Sequence, residues 1–288
     1  MFRAIGVSKA PGCPVVLVRV GVLLACFLWG NLALAESEQD ARPASDPVLF
    51  HFAHSKPRAF VAGRLDLGLN ARSSVVLGWG RPHWLWVGVL AASNLTLTQA
   101  AQTGGLQLGA PFGELSLLGR RIAASDHRFL SAQDSFNNAD LTSGTLGTAH
   151  YSVLELALSG VVPVRVGLVY ASVWVDRFVA LPANTYLYEE IARSVVKGPW
   201  VGVEQLGFLF FVTHDKHHRA GLISEHVWSG RSAADVVRFG VAYSGQLTSH
   251  LSLFGYLSEP VLSPDSLGLW SAAGGSLSLR YAWASQDP

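Results

Sequence analysis

Few residues in this chain have the types and spacing that chemistry needs. His150-Tyr151-Ser152 would place an imidazole and a hydroxyl on one face of a strand, as a serine nucleophile and its base require. Asp215-Lys216-His217 and Asp126-His127 set a carboxylate beside an imidazole, which could orient a general base. His214, Asp215, His217 and His218 offer ligands suited to a transition metal. None of these runs sits in a G-x-S-x-G, H-E-x-x-H or Walker motif. H-x-S recurs by chance, and a His/Asp run between apolar segments reads more simply as a solvated turn. No catalytic residue, metal site or cofactor is assigned on these grounds.

Composition narrows the elements that could carry such groups. The chain has 288 residues, of which 50% are hydrophobic and 14% charged; a soluble domain carries about 25% charged residues. A formal charge of +1 gives no basic field for nucleic acid. The chain is too apolar and too aromatic for disorder. Both cysteines, Cys13 and Cys26, fall in the first 26 residues, so no thiol chemistry is available beyond them.

The N-terminus reads as an export signal. Arg3, Lys9 and Arg19 precede the apolar run VGVLLACFLWG over 20–30, and Ala33-Leu34-Ala35 then offers an A-x-A cleavage site. The apolar run is too short for a comfortable membrane span. Cleavage after Ala35 is the preferred reading; the competing one is lipidation at Cys26, through Leu23-Leu24-Ala25-Cys26. The expected organisation is a signal over 1–35, a polar periplasmic tail over 36–58 and one domain over 59–288.

That domain has a period of two. Leu277, Leu279, Tyr281 and Trp283 alternate with Ser276, Ser278, Arg280 and Ala282. Val237, Phe239, Val241 and Tyr243 alternate with Arg238, Gly240, Ala242 and Ser244. Val61, Leu65, Leu67 and Leu69 oppose Arg64, Asp66, Gly68 and Asn70, and Leu154, Leu156 and Leu158 oppose Glu155, Ala157 and Ser159. After Pro163, Val164, Val166, Leu168 and Tyr170 oppose Arg165 and Gly167. Each segment is thus a strand with one apolar face and one small or polar face. A sandwich would alternate too. Long aliphatics with Tyr and Trp on one face, and Gly, Ala and Ser with scattered charge on the other, favour a barrel in a membrane. Trp79, Trp84, Trp86, Trp174, Trp200, Trp228, Trp270 and Trp283 fall near expected strand ends, as interfacial girdles would require.

On this pattern the chain resembles bacterial outer-membrane β-barrel proteins of the porin-like kind, over roughly 59–284. Its most specific part is the last strand, which alternates apolar residues and ends on an aromatic. The resemblance implies that Leu277, Leu279, Tyr281 and Trp283 form the signal read by the barrel-assembly machinery. It also implies an outer-membrane location, with lipid and lipopolysaccharide as surroundings. The sequence departs from that pattern by continuing through Ala284-Ser285-Gln286-Asp287-Pro288. Outer-membrane phospholipases and omptin proteases are barrels with Ser–His and Asp–His machinery, but the patterns around their sites are missing here.

The expected fold is all-β, an antiparallel transmembrane barrel of about 12 strands, with 10 to 14 admissible. Strands should begin near 59, 74, 84, 97, 114, 148, 164, 201, 220, 235, 248 and 273. An even count puts both termini on the periplasmic side. Short turns at 109–113, 160–163 and 246–250 then lie on that side, and long loops at 125–147, 176–199 and 259–272 lie outside. The segment YLYEEIARSVV over 186–196 is either an external hairpin or an extra strand, and Glu189, Glu190 and Arg193 read as a solvated charged loop.

Within such a barrel, Arg64, Asp66, Glu155, Arg165, Glu204, Glu225, Arg238 and Arg280 should line the lumen. Glu155 should pair with Arg165, and Arg280 with Asp66 if the barrel closes. Such charges either plug a narrow interior as a paired network or select small solutes at a constriction. The functional expectation is a structural or passive narrow-channel barrel. The alternatives are a surface-binding or adhesion barrel using the long loops, and a barrel hydrolase.

Overall fold

Leu65 and Leu67 are exposed on one side of a strand while Asp66 between them is buried, and the same contrast separates Phe239 and Val241 from Arg238. Repeated around the molecule, this alternation makes a tube with an apolar outside. The structure is a computed structural model that describes residues 56–68, 71–81, 85–96, 98–143, 147–179, 181, 185–231, 235–248, 251–268 and 274–284. The export signal, Cys26, the cleavage site and nearly all of the tail lie outside the described residues.

The chain runs through β1 (Arg58–Gly68), β2 (Ala71–Gly80), β3 (Trp86–Leu95), β4 (Gln99–Ala110), β5 (Gly113–Arg128), the helical turn α1 (Asp140–Ser143), β6 (Thr148–Val164) and β7 (Gly167–Val179). A short hairpin follows, β8 (Tyr186–Glu189) with β9 (Ser194–Lys197). The chain ends with β10 (Trp200–Phe211), β11 (His218–Trp228), β12 (Val236–Gln246), β13 (Leu251–Leu262) and β14 (Gly274–Ala284). Apart from β8 and β9, the strands form one closed antiparallel barrel of twelve, sealed by β14 against β1 with Asp66 opposite Arg280. Closure removes the free sheet edges.

The turns follow the expected parity. Pro111-Phe112 joins β4 to β5, with proline setting the first turn torsion, at the end where β1 begins and β14 finishes. The long connections 129–147, 180–199 and 263–273 lie at the opposite end. One turn differs from expectation. Gly160-Val161-Val162-Pro163 is part of β6, whose β-branched valines keep it extended, and the turn is Arg165-Val166. The faces of β7 shift accordingly: Leu168 and Tyr170 belong to an interior apolar cluster with Leu209, Ile223 and Ala242 instead of facing outward.

The larger departure is the segment 185–199, which turns back into the barrel. Leu187 and Val196, paired across β8 and β9, are fully buried among Ile122, Tyr151, Val153, Phe178, Val203 and Val227 of the barrel wall. Tyr188 and Val195 occupy the other face and pack against Leu130, Phe136, Leu141 and Leu267 from two further loops. Arg231 clamps this cap, with a 2.6 Å ion pair to Asp265 and its guanidinium over Phe136. Glu189 is buried and Glu190 and Arg193 are partly so, which corrects the expectation of a solvated loop. The expected girdle is also thinned: Trp86 lies over Gly109, where a β-carbon would collide with its indole, and Trp174 packs against the interior cluster. Trp79 and Trp200 are exposed on the outer face. Trp84 and Trp270 lie outside the described residues.

Candidate functional site

Charged side chains collect on two different parts of the inner wall. On β14, β1 and β2, Asp66 accepts hydrogen bonds from Arg64 Nε at 2.7 Å and Arg280 Nε at 2.9 Å. Arg72 is the cross-strand partner of Asp66, and Arg280 lies 5.5 Å over the Phe254 ring. Glu114 on β5 accepts from Gln107 and contributes a second carboxylate. The arginines here keep contact with solvent: the side chains of Arg64 and Arg280 are 39% and 31% exposed, and Arg72 is exposed.

On β5 to β12 the charges are dry. Arg120 pairs with Asp176 at 2.6 Å and lies 3.6 Å from both Glu155 and Glu189. Arg238, 1% exposed, bonds Glu225 and donates to the carbonyl oxygens of Ala192 and Arg193 in the hairpin turn. Gln205 closes this group through a 2.6 Å bond to Glu225. These arginines therefore seat the hairpin, because its backbone oxygens and Glu189 are their partners. The hairpin tip reaches across the barrel, where Arg193 donates to the Gly275 carbonyl and Thr96 to Glu190, both at 2.8 Å. Burial pushes the Glu190 carboxyl up to about 6.

Two residues expected in the lumen lie elsewhere. Arg165 sits on the exposed two-residue turn after β6, because that strand continues past Pro163, and Glu155 pairs with Arg120 instead of Arg165. Glu204 faces outward, because Val201 and Val203 take the inner positions against the hairpin cluster. It stands 3.5 Å from His226, which in turn meets Asp235 at 3.0 Å. Arg64, Asp66, Glu155, Glu225, Arg238 and Arg280 are on the inner face, and the structure divides them between the two groups described above.

Arg72, Glu114, Arg120, Asp176, Glu189 and Arg193 were absent from the sequence-derived set. Leu115 and Leu117 alternate with Glu114 and Ser116, and extending that count puts Arg120 inside. Ser172, Trp174 and Asp176 continue likewise along β7, beyond the point where a loop was expected to start. Nothing in the sequence marks the hairpin as interior. Leu277, Leu279 and Tyr281 are exposed on the outer face, and Trp283 occupies the position opposite Gly63.

The other candidates do not assemble into sites. His150 and Ser152 share the outer face of β6, opposite the buried Tyr151 and Val153. Asp215 braces the turn between β10 and β11 by accepting from the Thr213 hydroxyl and the His217 amide, and the Thr213 bond, as the first cause, holds its carboxyl below the usual range. His218 bonds the Tyr243 hydroxyl at 2.6 Å. Among the described residues no three His, Cys, Asp or Glu side chains converge as metal ligands.

No family model matches the chain, and no curated protein is significantly similar to it. Solved structures of barrels do overlap it. KdgM porin is 5% identical with a TM-score of 0.35, covering 80% of this chain and 99% of that one. The translocator domain of autotransporter NalP from Neisseria meningitidis is 13% identical with a TM-score of 0.29, covering 94% and 98%. The β domain of the Bordetella autotransporter BrkA is 10% identical with a TM-score of 0.33, covering 79% and 98%. These overlaps are loose, and the strand pairing itself defines the molecule as a closed, twelve-stranded antiparallel β-barrel.

Proposed function

We propose that this chain is an exported outer-membrane barrel that acts as a narrow passive channel, conducting along one wall. The membrane reading is supported by the outer face, where Leu65, Leu77, Leu117, Leu156, Leu206, Leu222, Val241 and Leu279 are all exposed. So much bare aliphatic surface suits lipid and would aggregate in water. The channel reading is carried by the contrast between the two charged groups. Arg120 and Arg238 are sealed under the hairpin, whereas Arg64, Arg72 and Arg280 keep solvent contact along β14, β1 and β2. Three arginines face two carboxylates, Asp66 and Glu114, so the passage favours small anions. The long loops support channel function better than adhesion, because Leu130, Phe136, Leu141 and Leu267 from two of them pack with Tyr188 and Val195 of the third into one cap.

Purified protein in planar bilayers should give small, anion-selective conductance steps. Arg72→Glu, on a solvent-facing side chain, should shift the selectivity toward cations while leaving the fold intact. Absence of steps above the lipid background in correctly inserted protein would overturn the channel reading and leave a sealed structural barrel.

A further inference from the structure

The outer surface is not electrically uniform beyond its apolar belt. On β5 to β7, Leu117, Leu154 and Leu156 mark the belt. Arg121, next to buried Arg120, points outward and is exposed, and so is Arg177, next to buried Asp176. Arg121 is the cross-strand partner of Ser152, and Arg177 that of Leu154, so they flank one stretch of β6. Two strand spacings and the stagger put them roughly 10–12 Å apart. Arg128 and His150 are exposed farther toward the loops. Arg177 lies 5.5 Å over the ring of Trp200, itself exposed on the outer face. An indole at this level suits the membrane–water boundary and holds the guanidinium at headgroup depth.

The carboxylates begin on the next strand round and continue away from this arc. Among the described side chains, the outward-facing acids of the strands are Glu204 on β10 and Glu259 on β13, with Asp235 nearby in a loop. The loop-side rim thus has a cationic arc on β5 to β7 and an acidic arc on β10 to β13.

We infer that the arc of Arg121, Arg177 and Trp200 is a docking site for the phosphate groups of an anionic outer-leaflet glycolipid, whose acyl chains lie on Leu117, Leu154 and Leu156. The inference rests on the membrane reading above, though not on the channel. Charge complementarity selects the occupant. A guanidinium presents a fork of donors that matches a phosphate, and the neighbouring leucines supply the apolar surface that a lipid-borne phosphate needs and a free one does not. A phosphate on the acidic arc would meet Glu204 and Glu259 instead.

The test uses full-length protein inserted in phosphatidylcholine vesicles doped with lipid A, either bisphosphorylated or enzymatically dephosphorylated, followed by extraction and native mass spectrometry of retained lipid. Heat-modifiable gel mobility is read first; protein that fails to insert into any vesicle overturns the membrane reading and this inference with it. With inserted protein, retention should favour the phosphorylated form. Arg121→Gln with Arg177→Gln should reduce that retention about twenty-five-fold, each arginine near an anionic surface counting for roughly five-fold. Glu259→Gln on the acidic arc should leave it unchanged. Inorganic phosphate in excess should not displace the lipid. Equal retention by wild type and the double variant, or retention indifferent to the phosphates, overturns the inference while leaving the membrane reading standing.

Discussion

The two inner walls are made from the same fold and the same residue types, yet they behave as different materials. Along β6 to β12 the inner positions include Val153, Phe178, Val203, Val227 and Val236, and the returning hairpin completes a dry core around them. Along β14, β1 and β2 the inner positions include Arg280, Arg64 and Arg72, and no hairpin aliphatic packs there among the described residues. A guanidinium on the first wall must be fully paired or it carries a large desolvation penalty. On the second, water completes what Asp66 leaves unmade. Whether an interior charge is structural or available to a solute is thus set by what the hairpin covers, 46 and 45 positions from Arg238.

The sharpest way to break the comparison is to remove one arginine from each wall. Arg120→Met strands Asp176, Glu155 and Glu189 without their shared cation in a dry site. It should destabilise by about 3–5 kcal/mol. Arg280→Leu removes one of two charged partners of buried Asp66 and leaves the Arg64 bond, so it should cost less, about 1.5–3 kcal/mol. Urea unfolding in lipid vesicles, with both variants compared at the same midpoint slope, measures the difference. Equal losses would mean that the two walls are equally dry.

A smaller effect sharpens the boundary between inside and outside on a single strand. Leu279 and Arg280 are neighbours on β14, and Leu279 is exposed on the outer face. Leu279→Arg should destabilise by about 2–4 kcal/mol if the position lies near the bilayer midplane, because it moves a cation into lipid. Conductance should not change, since the new side chain stays outside the tube. A variant as stable as wild type would place this strand outside the hydrocarbon layer.

The barrel was readable in the sequence because each strand states its two faces locally. Leu65-Asp66-Leu67 and Leu279-Arg280-Tyr281 carry opposite faces within three residues, and their pairing follows once the count is even. The count of twelve follows for the same reason. Faces were misread where a strand outran its punctuation: Pro163 reads as a turn residue, yet β6 continues to Val164, and that shift moved Arg165, Leu168 and Tyr170. Glu204 was misread because VGVEQLGF offers apolar residues for both faces, and only the hairpin decides which face is wet. The site itself was half legible. The inner position of Arg280 is a local property, but the sealing of Arg238 depends on carbonyl oxygens at Ala192 and Arg193, which no alternation encodes.

The finest test of the comparison is the strength with which the hairpin tip holds to the rest of the barrel. Glu190 lies in the turn between β8 and β9. It faces the Thr96 hydroxyl at 2.8 Å, His127 Nδ1 at 3.7 Å, and the neighbouring Glu189 and Arg193. Burial is the main reason its carboxyl rises from 4.5 to about 6; Glu189 adds to the rise, while Thr96 and Arg193 oppose it. Because the docked state holds the proton more tightly, the protonated carboxyl favours docking. That contribution is complete below about 4.5 and is lost as the pH rises through about 6. His127 opposes the loss only where a protonated imidazole meets an ionised Glu190. Amide exchange over Leu187–Val196, corrected for intrinsic rates, should therefore show stronger protection at about pH 5 than at about pH 8. The change should be roughly several-fold at most, since the carboxyl keeps part of its water. Glu190→Gln should hold the protection at one level across the range. If the variant keeps the wild-type pH dependence, the tip is governed by another group. If protection instead peaks at intermediate pH, where an ionised Glu190 can meet a protonated His127, that pair outweighs burial, and the tip is wetter than the wall it leans on.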